Sequence, residues 1–378
     1  DGTDIGPATF TTQSTHKLLA AFSQASMIHI KQGTRSQVNP NHFNEAFMMH
    51  TSTSPHYGVI ASCDVATKMM AGKSGPSLID DIHGEAMAFR HAMTNVGSEQ
   101  DSWWFTVWQP DIIRAKSNAT PEAPQTADWV FKPDDKWHGF KDLADDYVLL
   151  DPIKVTLVTP GLTIDGLMEE EGIPAAIVSQ FLWERGIVVE KTSLYSFLVL
   201  FSLGITKGKW STLLTELLQF KRLYDSGAKV KSALSTLVAK YPDVYTEMTL
   251  RNLCDNLHKF YCDHKTPEVM NTMFNQLPDM VMTPAQAYRK LVAGEVEMVS
   301  IDKLDGRIAA EMIVPYPPGI PLIMPGERYN QKCKPIMEYL EMAREQSTEV
   351  PGFEAETHGL TIDKNNKGME YAVSVLKK

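Results

Sequence analysis

The chain has little of what marks several classes of protein. Its four cysteines (Cys63, Cys254, Cys262 and Cys333) are spread over 378 residues. They are too few and too scattered for a disulfide scaffold, and reduced thiols in a cytoplasmic protein are the simpler reading. Long apolar runs are missing too: the longest strongly apolar stretch, Ser196–Ile205, falls well short of the ~20 residues that cross a bilayer. No signal-peptide pattern is visible. The first residue is Asp1 rather than Met, so the sequence reads as a piece that begins away from the natural start. Basic blocks are absent as well. Lys and Arg number 36 against 46 Asp and Glu, a formal net charge of −10, which disfavours a nucleic-acid partner.

What is present is ordinary for a globular chain with a full core: 43% hydrophobic and 22% charged residues. At ~100–200 residues per domain the length suggests two or three domains, and no internal repeat is apparent. Ala8–Thr12 has strand character and is followed at once by Ser14-Thr15-His16-Lys17. Ile82–Met93 has apolar residues at helical spacing, and Trp103–Trp108 alternates as a half-buried strand does. Asn118–Thr126 is a Pro/Ala/Thr-rich loop. Lys154–Thr159 reads as a strand ended by Pro160-Gly161. Ile173–Arg185 reads as a helix with Pro174 in its first turn and Gly186 just past its end. Strands are expected near Ile187–Lys191 and Phe197–Ser202. Further helices are expected at Lys209–Asp225, Val230–Lys240, Leu250–His264, Thr283–Ala293 and Lys334–Gln346. The proline-rich Val314–Pro321 must be an extended, stiff segment, since proline removes donors and fixes φ.

Few residues suggest chemistry on their own. A lysine such as Lys17 can form a Schiff base with an aldehyde cofactor, and Ser14 and Thr15 are suited to holding that cofactor's phosphate. In isolation such a lysine is ordinarily a solvated surface residue. His50–Pro55 is a hydroxyl-dense turn containing Ser52, and by itself it reads as an ordinary Ser/Thr turn. Glu190 stands at the end of an expected strand, where a glutamate is usually just solvated. Gly72-Lys73-Ser74 mimics the tail of a phosphate-binding loop, but the glycine required five residues earlier is Thr67. Cys254, His258 and Cys262 share one face of a helix. With no fourth ligand evident, a buried helix face is the better reading than a metal site. Trp103, Trp104, Trp108 and Trp137 read as packing aromatics, and the 19 methionines as core filler.

The longer strings change the weight of the Lys17 turn. Ser14–Lys17 with the following LLAAFSQASMIHIK, FNEAFMMHTSTSPHYGVIAS (43–62), WWFTVWQPD (103–111), WHGFK (137–141), LDPIKVTLVTPG (150–161), GIVVEKT (186–192) and GRIAAEMIVPYPPGIPLIMPGE (306–327) occur in this order. Together they resemble the bacterial lysine/arginine/ornithine decarboxylases of pyridoxal-phosphate (PLP) fold-type I, in wording closest to the inducible lysine decarboxylases. The resemblance covers almost the whole chain.

It implies an α/β fold: the C-terminal part of an aspartate-aminotransferase-like PLP decarboxylase, with an α+β C-terminal domain. The implied division is 1–71, the end of the PLP-binding large domain; 72–228, the small α/β domain; and 229–378, the C-terminal domain. Family members carry several hundred residues before the lysine, so the acid facing the pyridine nitrogen and the ring stacked on the cofactor are expected upstream of Asp1. The resemblance makes Lys17 the Schiff-base lysine, His16 a cofactor and substrate contact, and Ser14 a phosphate ligand. It brings Ser52, where relatives often have Thr, to the phosphate of the neighbouring subunit's cofactor, so that a homodimer shares its active sites and assembles further into a decamer. It sets Glu190 against the distal amine of the substrate, an acid that arginine-specific relatives lack. The implied activity is decarboxylation of L-lysine to cadaverine and CO2, which consumes a proton and serves an acid-stress response in the cytoplasm. The alternatives are ornithine or arginine decarboxylation and, outside enzymes, a silent fragment or assembly module.

Overall fold

The computed structural model describes residues 6–99, 103–117, 125–144, 147–316, 318–365 and 368–378. Contacts group the chain into two units, 1–89 with 201–209, and 90–200 with 210–378. The three-part division expected from sequence stays a proposal.

In the first unit, β1 (Thr9–Gln13) leads directly into one helical turn, α1 (Thr15–Leu18), and β2 (Met27–Lys31) returns antiparallel to β1 with Thr9 opposite Lys31. Two helices follow, α2 (Pro40–His50) and α3 (Tyr57–Met70), and then α4 (Ser74–Glu99), which continues past the end of the unit. Asn39 starts α2: its side chain accepts from the backbone N–H groups of Asn41 and His42, with Pro40 at the first helical position. The Phe22 N–H donates to the Ser62 hydroxyl (3.0 Å), which ties the segment after α1 to α3. Much apolar surface stays open in this unit, including Phe22 (61% exposed), Met49 (81%) and Tyr57 (77%).

The second unit is built on a four-stranded antiparallel sheet of order β3-β4-β6-β5: β3 (Thr106–Val107), β4 (Lys154–Val158), β5 (Lys191–Thr192) and β6 (Ser196–Leu200). In β4 the two-residue period turns Val155 and Leu157 into the core, both fully buried. Before this strand comes α5 (Asp111–Ser117), and after it α6 (Ala175–Trp183), whose Ile177, Val178, Phe181 and Leu182 are fully buried where the helix packs on β5 and β6. Helix α7 (Lys207–Asp225) brings Phe220 edge-on to Phe181 at 5.2 Å and Phe105 at 6.3 Å. Each ring removed from water here contributes about 1.5–3 kcal/mol.

The rest is helical first and sheet-like later. Short helices α8 (Val230–Ala233), α9 (Ser235–Lys240) and α10 (Pro242–Tyr245) precede α11 (Leu250–Asp263), α12 (Thr266–Thr272), β7 (Asp279–Met280) and α13 (Pro284–Val292). After β8 (Val296–Ser300), β9 (Val314–Tyr316) and β10 (Glu327–Arg328) comes α14 (Lys334–Glu349), then β11 (Glu356–His358), β12 (Leu360–Asn365) and β13 (Gly368–Leu376). Strand β13 is central to a three-stranded sheet, β12-β13-β8, and α14 packs on it, with the Tyr371 hydroxyl donating to the Ala343 carbonyl. Among the described residues no helix is long and apolar enough to cross a membrane.

Several expectations need correction. The helix expected over Val230–Lys240 is two helices, broken at buried Leu234 (φ −133°, ψ 68°). The Glu184 carboxylate accepts from the Thr236 and Leu237 N–H groups and so starts the second helix from outside it. Ile187–Glu190 is not strand: Ile187 N–H turns back to the Leu182 carbonyl and closes α6 past Gly186. Only Thr106–Val107 of the 103–108 segment pairs as strand. The methionines are not mainly core: Met93, Met273 and Met342 are buried, whereas Met48, Met49, Met69, Met280, Met298 and Met312 are exposed. Residues 118–124 of the expected Pro/Ala/Thr-rich loop, and Pro317, lie outside the described residues.

Candidate active site

The step from β1 into α1 is abrupt, and it gathers the first candidate groups. Ser14 stands at the N-cap position of α1, but its side chain makes no capping hydrogen bond. Thr15 is 5% exposed, and its hydroxyl oxygen is buried with no hydrogen-bond partner. A buried hydroxyl left unpaired costs about 1–3 kcal/mol, which makes it a place where a bound acceptor would be favoured. His16 is half-buried, and its Nδ1 donates to the Ala25 carbonyl at 2.9 Å. A carbonyl can only accept, so Nδ1 is the donor, and this bond leaves Nε2 unengaged. Lys17 is exposed, and its ammonium has no hydrogen bond or ion pair among the described residues.

One turn thus presents a free amine, an uncommitted serine hydroxyl, an orphaned threonine hydroxyl and an imidazole held through its Nδ1. This donor set fits an aldehyde cofactor bearing a phosphate: an amine for the carbonyl carbon and hydroxyl donors for the anion.

The other two candidates are placed elsewhere. Ser52 is exposed in the turn between α2 and α3, where its Oγ accepts from the Ser54 N–H at 3.1 Å. Glu190 belongs to the second unit. It is exposed, its N–H donates to the Leu198 carbonyl at 2.9 Å just ahead of β5, and its carboxylate has no partner among the described residues. Beside it an open cleft of about 420 Å³ is lined by Ser179, Trp183, Val189, Thr192 and Glu354, among others.

Residues left without a chemical role take structural ones. Trp137 is buried against Trp108 (4.9 Å) and Phe131 (4.7 Å). His138 bridges its own loop, from the Phe140 N–H to the Lys132 carbonyl. Cys254 and His258 are buried on one face of α11, and all four cysteines are free thiols. Among the described residues no group of three or more His, Cys, Asp and Glu is placed to hold a metal. The sequence passed over Arg90, which is fully buried and hydrogen-bonds Gln109 Oε1 and the carbonyls of Pro152 and Lys154. Its only signal was a charged residue inside an apolar helical period.

The fold mixes helix and sheet, and its first turn sets a lysine beside hydroxyls without partners. The chain belongs to the Orn/Lys/Arg decarboxylase family: the profile of that family's major domain matches residues 1–209, and the profile of its C-terminal domain matches residues 267–377. It is 54% identical over 374 residues to lysine decarboxylase LdcA of Pseudomonas aeruginosa, covering 98% of this chain and 49% of the relative. It is 46% identical over 372 residues to the inducible lysine decarboxylase of Escherichia coli K12, covering 98% of this chain and 50% of the relative. The solved structure of lysine decarboxylase A from Pseudomonas aeruginosa superposes with a TM-score of 0.91 at 54% identity, over 98% of this chain and 49% of that one. The chain spans about half the length of the curated relatives it matches.

Proposed function

We propose that this chain carries the Schiff-base lysine and the substrate-selecting acid of a PLP-dependent decarboxylase that converts L-lysine to cadaverine and CO2. The observation that carries the reading is the α1 turn, in which the Lys17 amine is unpaired beside the free Ser14 hydroxyl and the orphaned Thr15 hydroxyl. Lys17 would hold the cofactor's aldehyde carbon through Nζ, with Ser14 and Thr15 donating to its phosphate and His16 offering the Nε2 that its Ala25 bond leaves free. PLP, when bound, supplies a sink for the electron pair released as the Cα–carboxylate bond breaks.

The remaining work falls to the chain. The Glu190 carboxylate would pair with the distal ammonium and orient the substrate by its far end. Lys17 Nζ would deliver the proton that replaces the carboxylate at Cα, so each turnover releases one CO2 and takes up one proton. That proton uptake suits a cytoplasmic enzyme of acid-stress defence. Ser52 would serve the phosphate of a neighbouring subunit's cofactor in a shared-site homodimer, itself a unit of a decamer. The open apolar surface around it, Met49 and Tyr57 among others, supports an interface there. In this reading 1–71 closes the cofactor domain, 72–228 is the small domain and 229–378 the C-terminal domain.

The test is CO2 release from lysine, ornithine and arginine, with PLP, on a chain extended to the length of its relatives. Strong preference for lysine is expected, with borohydride fixing the cofactor to Lys17. Preference for arginine would sink the role of Glu190. A colourless protein with no reducible adduct would favour the silent assembly module.

A further inference from the structure

The segment that carries Glu190 is anchored by a buried polar network outside the residues assigned so far. Tyr195, where β5 turns into β6, is 3% exposed, and its hydroxyl donates to His258 Nδ1 at 2.7 Å. His258 is 4% exposed on α11, and its Nε2 donates to the Glu169 carbonyl at 3.1 Å. The directions follow from chemistry. The carbonyl can only accept, so Nε2 carries a proton, and in the neutral ring Nδ1 is the acceptor. Burial pushes the Tyr195 phenol far above its ordinary range, so it remains a donor. Cys262 Sγ also lies 3.6 Å from Nε2.

Two glycines make room for this pair. A Cβ at Gly161 would sit 2.1 Å from the Tyr195 ring, and one at Gly172 would sit 2.2 Å from His258 Nδ1. The loop between them is closed on itself. Thr159 Oγ1 donates to the Ile173 carbonyl at 2.6 Å, and the Glu169 carboxylate accepts from the Gly161 N–H at 2.6 Å. The same loop is stitched to the hairpin by Thr159 N–H to the Tyr195 carbonyl and Ala175 N–H to the Leu194 carbonyl. A second side-chain tie, Thr192 Oγ1 to Ser179 Oγ at 2.7 Å, holds the other arm of the hairpin to α6. Among the described residues Glu190 itself is held through its backbone, to Leu198 on the opposite arm.

We infer that His258 is a positioning residue for substrate selection: through Tyr195 it seats the β5–β6 hairpin against the loop 160–173, and the hairpin in turn sets the position of Glu190. This rests on the proposed role of Glu190. The α11 helix is thereby part of the selection apparatus although no residue of it is assigned to touch substrate.

Tyr195→Phe is the informative variant, because it removes one oxygen and keeps the ring that fills the space beside Gly161. Hydrogen exchange and steady-state kinetics on the extended, PLP-loaded enzyme read it independently. Amide exchange across 187–198 should quicken roughly three- to tenfold, the equivalent of one lost buried hydrogen bond. KM for lysine should rise by a similar factor with kcat within about twofold, and preference for lysine over ornithine should narrow. His258→Asn, whose carbonyl can still accept from Tyr195, should raise KM less than His258→Phe does. Unchanged exchange across 187–198 in the Tyr195→Phe variant overturns the inference. So does an unchanged lysine KM in that variant while Glu190→Gln raises it. If Glu190→Gln leaves KM untouched, the Glu190 reading fails, and the exchange measurement alone then decides whether His258 seats the hairpin.

Discussion

Replacing Arg90 by methionine should destabilise the second unit far more than a surface charge change would. The guanidinium lies fully buried at the head of that unit's part of α4. It donates from Nη1 to Gln109 Oε1 at 3.1 Å and from Nη2 to the Pro152 and Lys154 carbonyls at 3.1 and 3.2 Å, and it lies 5.2 Å from the centre of the Trp129 ring. Burial pulls Arg90 down to about 9, with Asp151 acting in the opposite direction, so the group still carries its charge at neutral pH. Methionine matches the stem but leaves three acceptors facing an apolar side chain. Hydrogen bonds to a charged group are each worth about 1.5–3 kcal/mol. Against that loss stands the desolvation cost that the native charge already bears and the variant escapes.

The net expectation is a loss of about 3–5 kcal/mol: three buried acceptors left unpaired cost about 1–3 kcal/mol each, less the desolvation that the variant escapes. At 2–4 °C per kcal/mol for a domain of 150–250 residues, the thermal midpoint should drop by roughly 6–20 °C. Arg90→Lys should also destabilise, because an ammonium cannot reproduce the planar fork. Gln109→Leu should cost less in the Arg90→Met background than in the native chain, with a coupling of about 1–2 kcal/mol. Calorimetry and urea titration of the native protein, the three single variants and the double variant check this. A methionine variant within ~1 kcal/mol of native would refute the reasoning, because the carbonyls would then have found other partners.

Alkaline pH should unfold the second unit cooperatively. Burial raises the phenols of Tyr195, Tyr245, Tyr261 and Tyr329 above their unfolded value of 10.0. A group raised in the fold contributes stability that is complete below the unfolded value and fades as pH rises through the folded one. Stability should therefore hold to about pH 10 and fall beyond it. Phenolate absorbance beyond that of the exposed tyrosines should appear only together with loss of helix, and its appearance in a chain that keeps its helix would contradict this. At the start of α13, Thr283 and Gln286 form a reciprocal capping box, with the Thr283 Oγ1 accepting from the Gln286 N–H at 3.3 Å. Thr283→Ala should cost about 1 kcal/mol in urea titration and Thr283→Ser much less, and equal costs would show that the cap is not the source.

How much was legible from sequence differs by element. Helices with a sustained apolar period were placed well, including α7, α11 and α14, because one buried stripe writes itself into the spacing of residues, whereas only Ile82–Met93 of α4 was legible. The ends of α6 were legible because Pro174 and Gly186 are positional signals, and β4 because Val155 and Leu157 alternate with outward residues. The Lys17 turn was legible as strand, hydroxyls and amine. Its standing above an ordinary surface lysine came only from the longer strings that resemble the decarboxylases.

Pairings between distant residues were not legible. Arg90 reads as one charge in a helix until Pro152, 62 residues on, supplies its acceptor. His258 reads as one of three soft residues on a helix face until Tyr195, 63 residues earlier, donates to it. Glu184 splits the helix after Leu234 from 52 residues away. The sequence by itself determined which segments could be helix or strand and which residues could carry an amine, a hydroxyl or a carboxylate, because those depend on local spacing and side-chain type. Only the tertiary structure decided which polar groups are buried and what satisfies them, because a buried donor or acceptor is stabilised by whatever partner packing brings to it, and nothing in the local pattern names that partner.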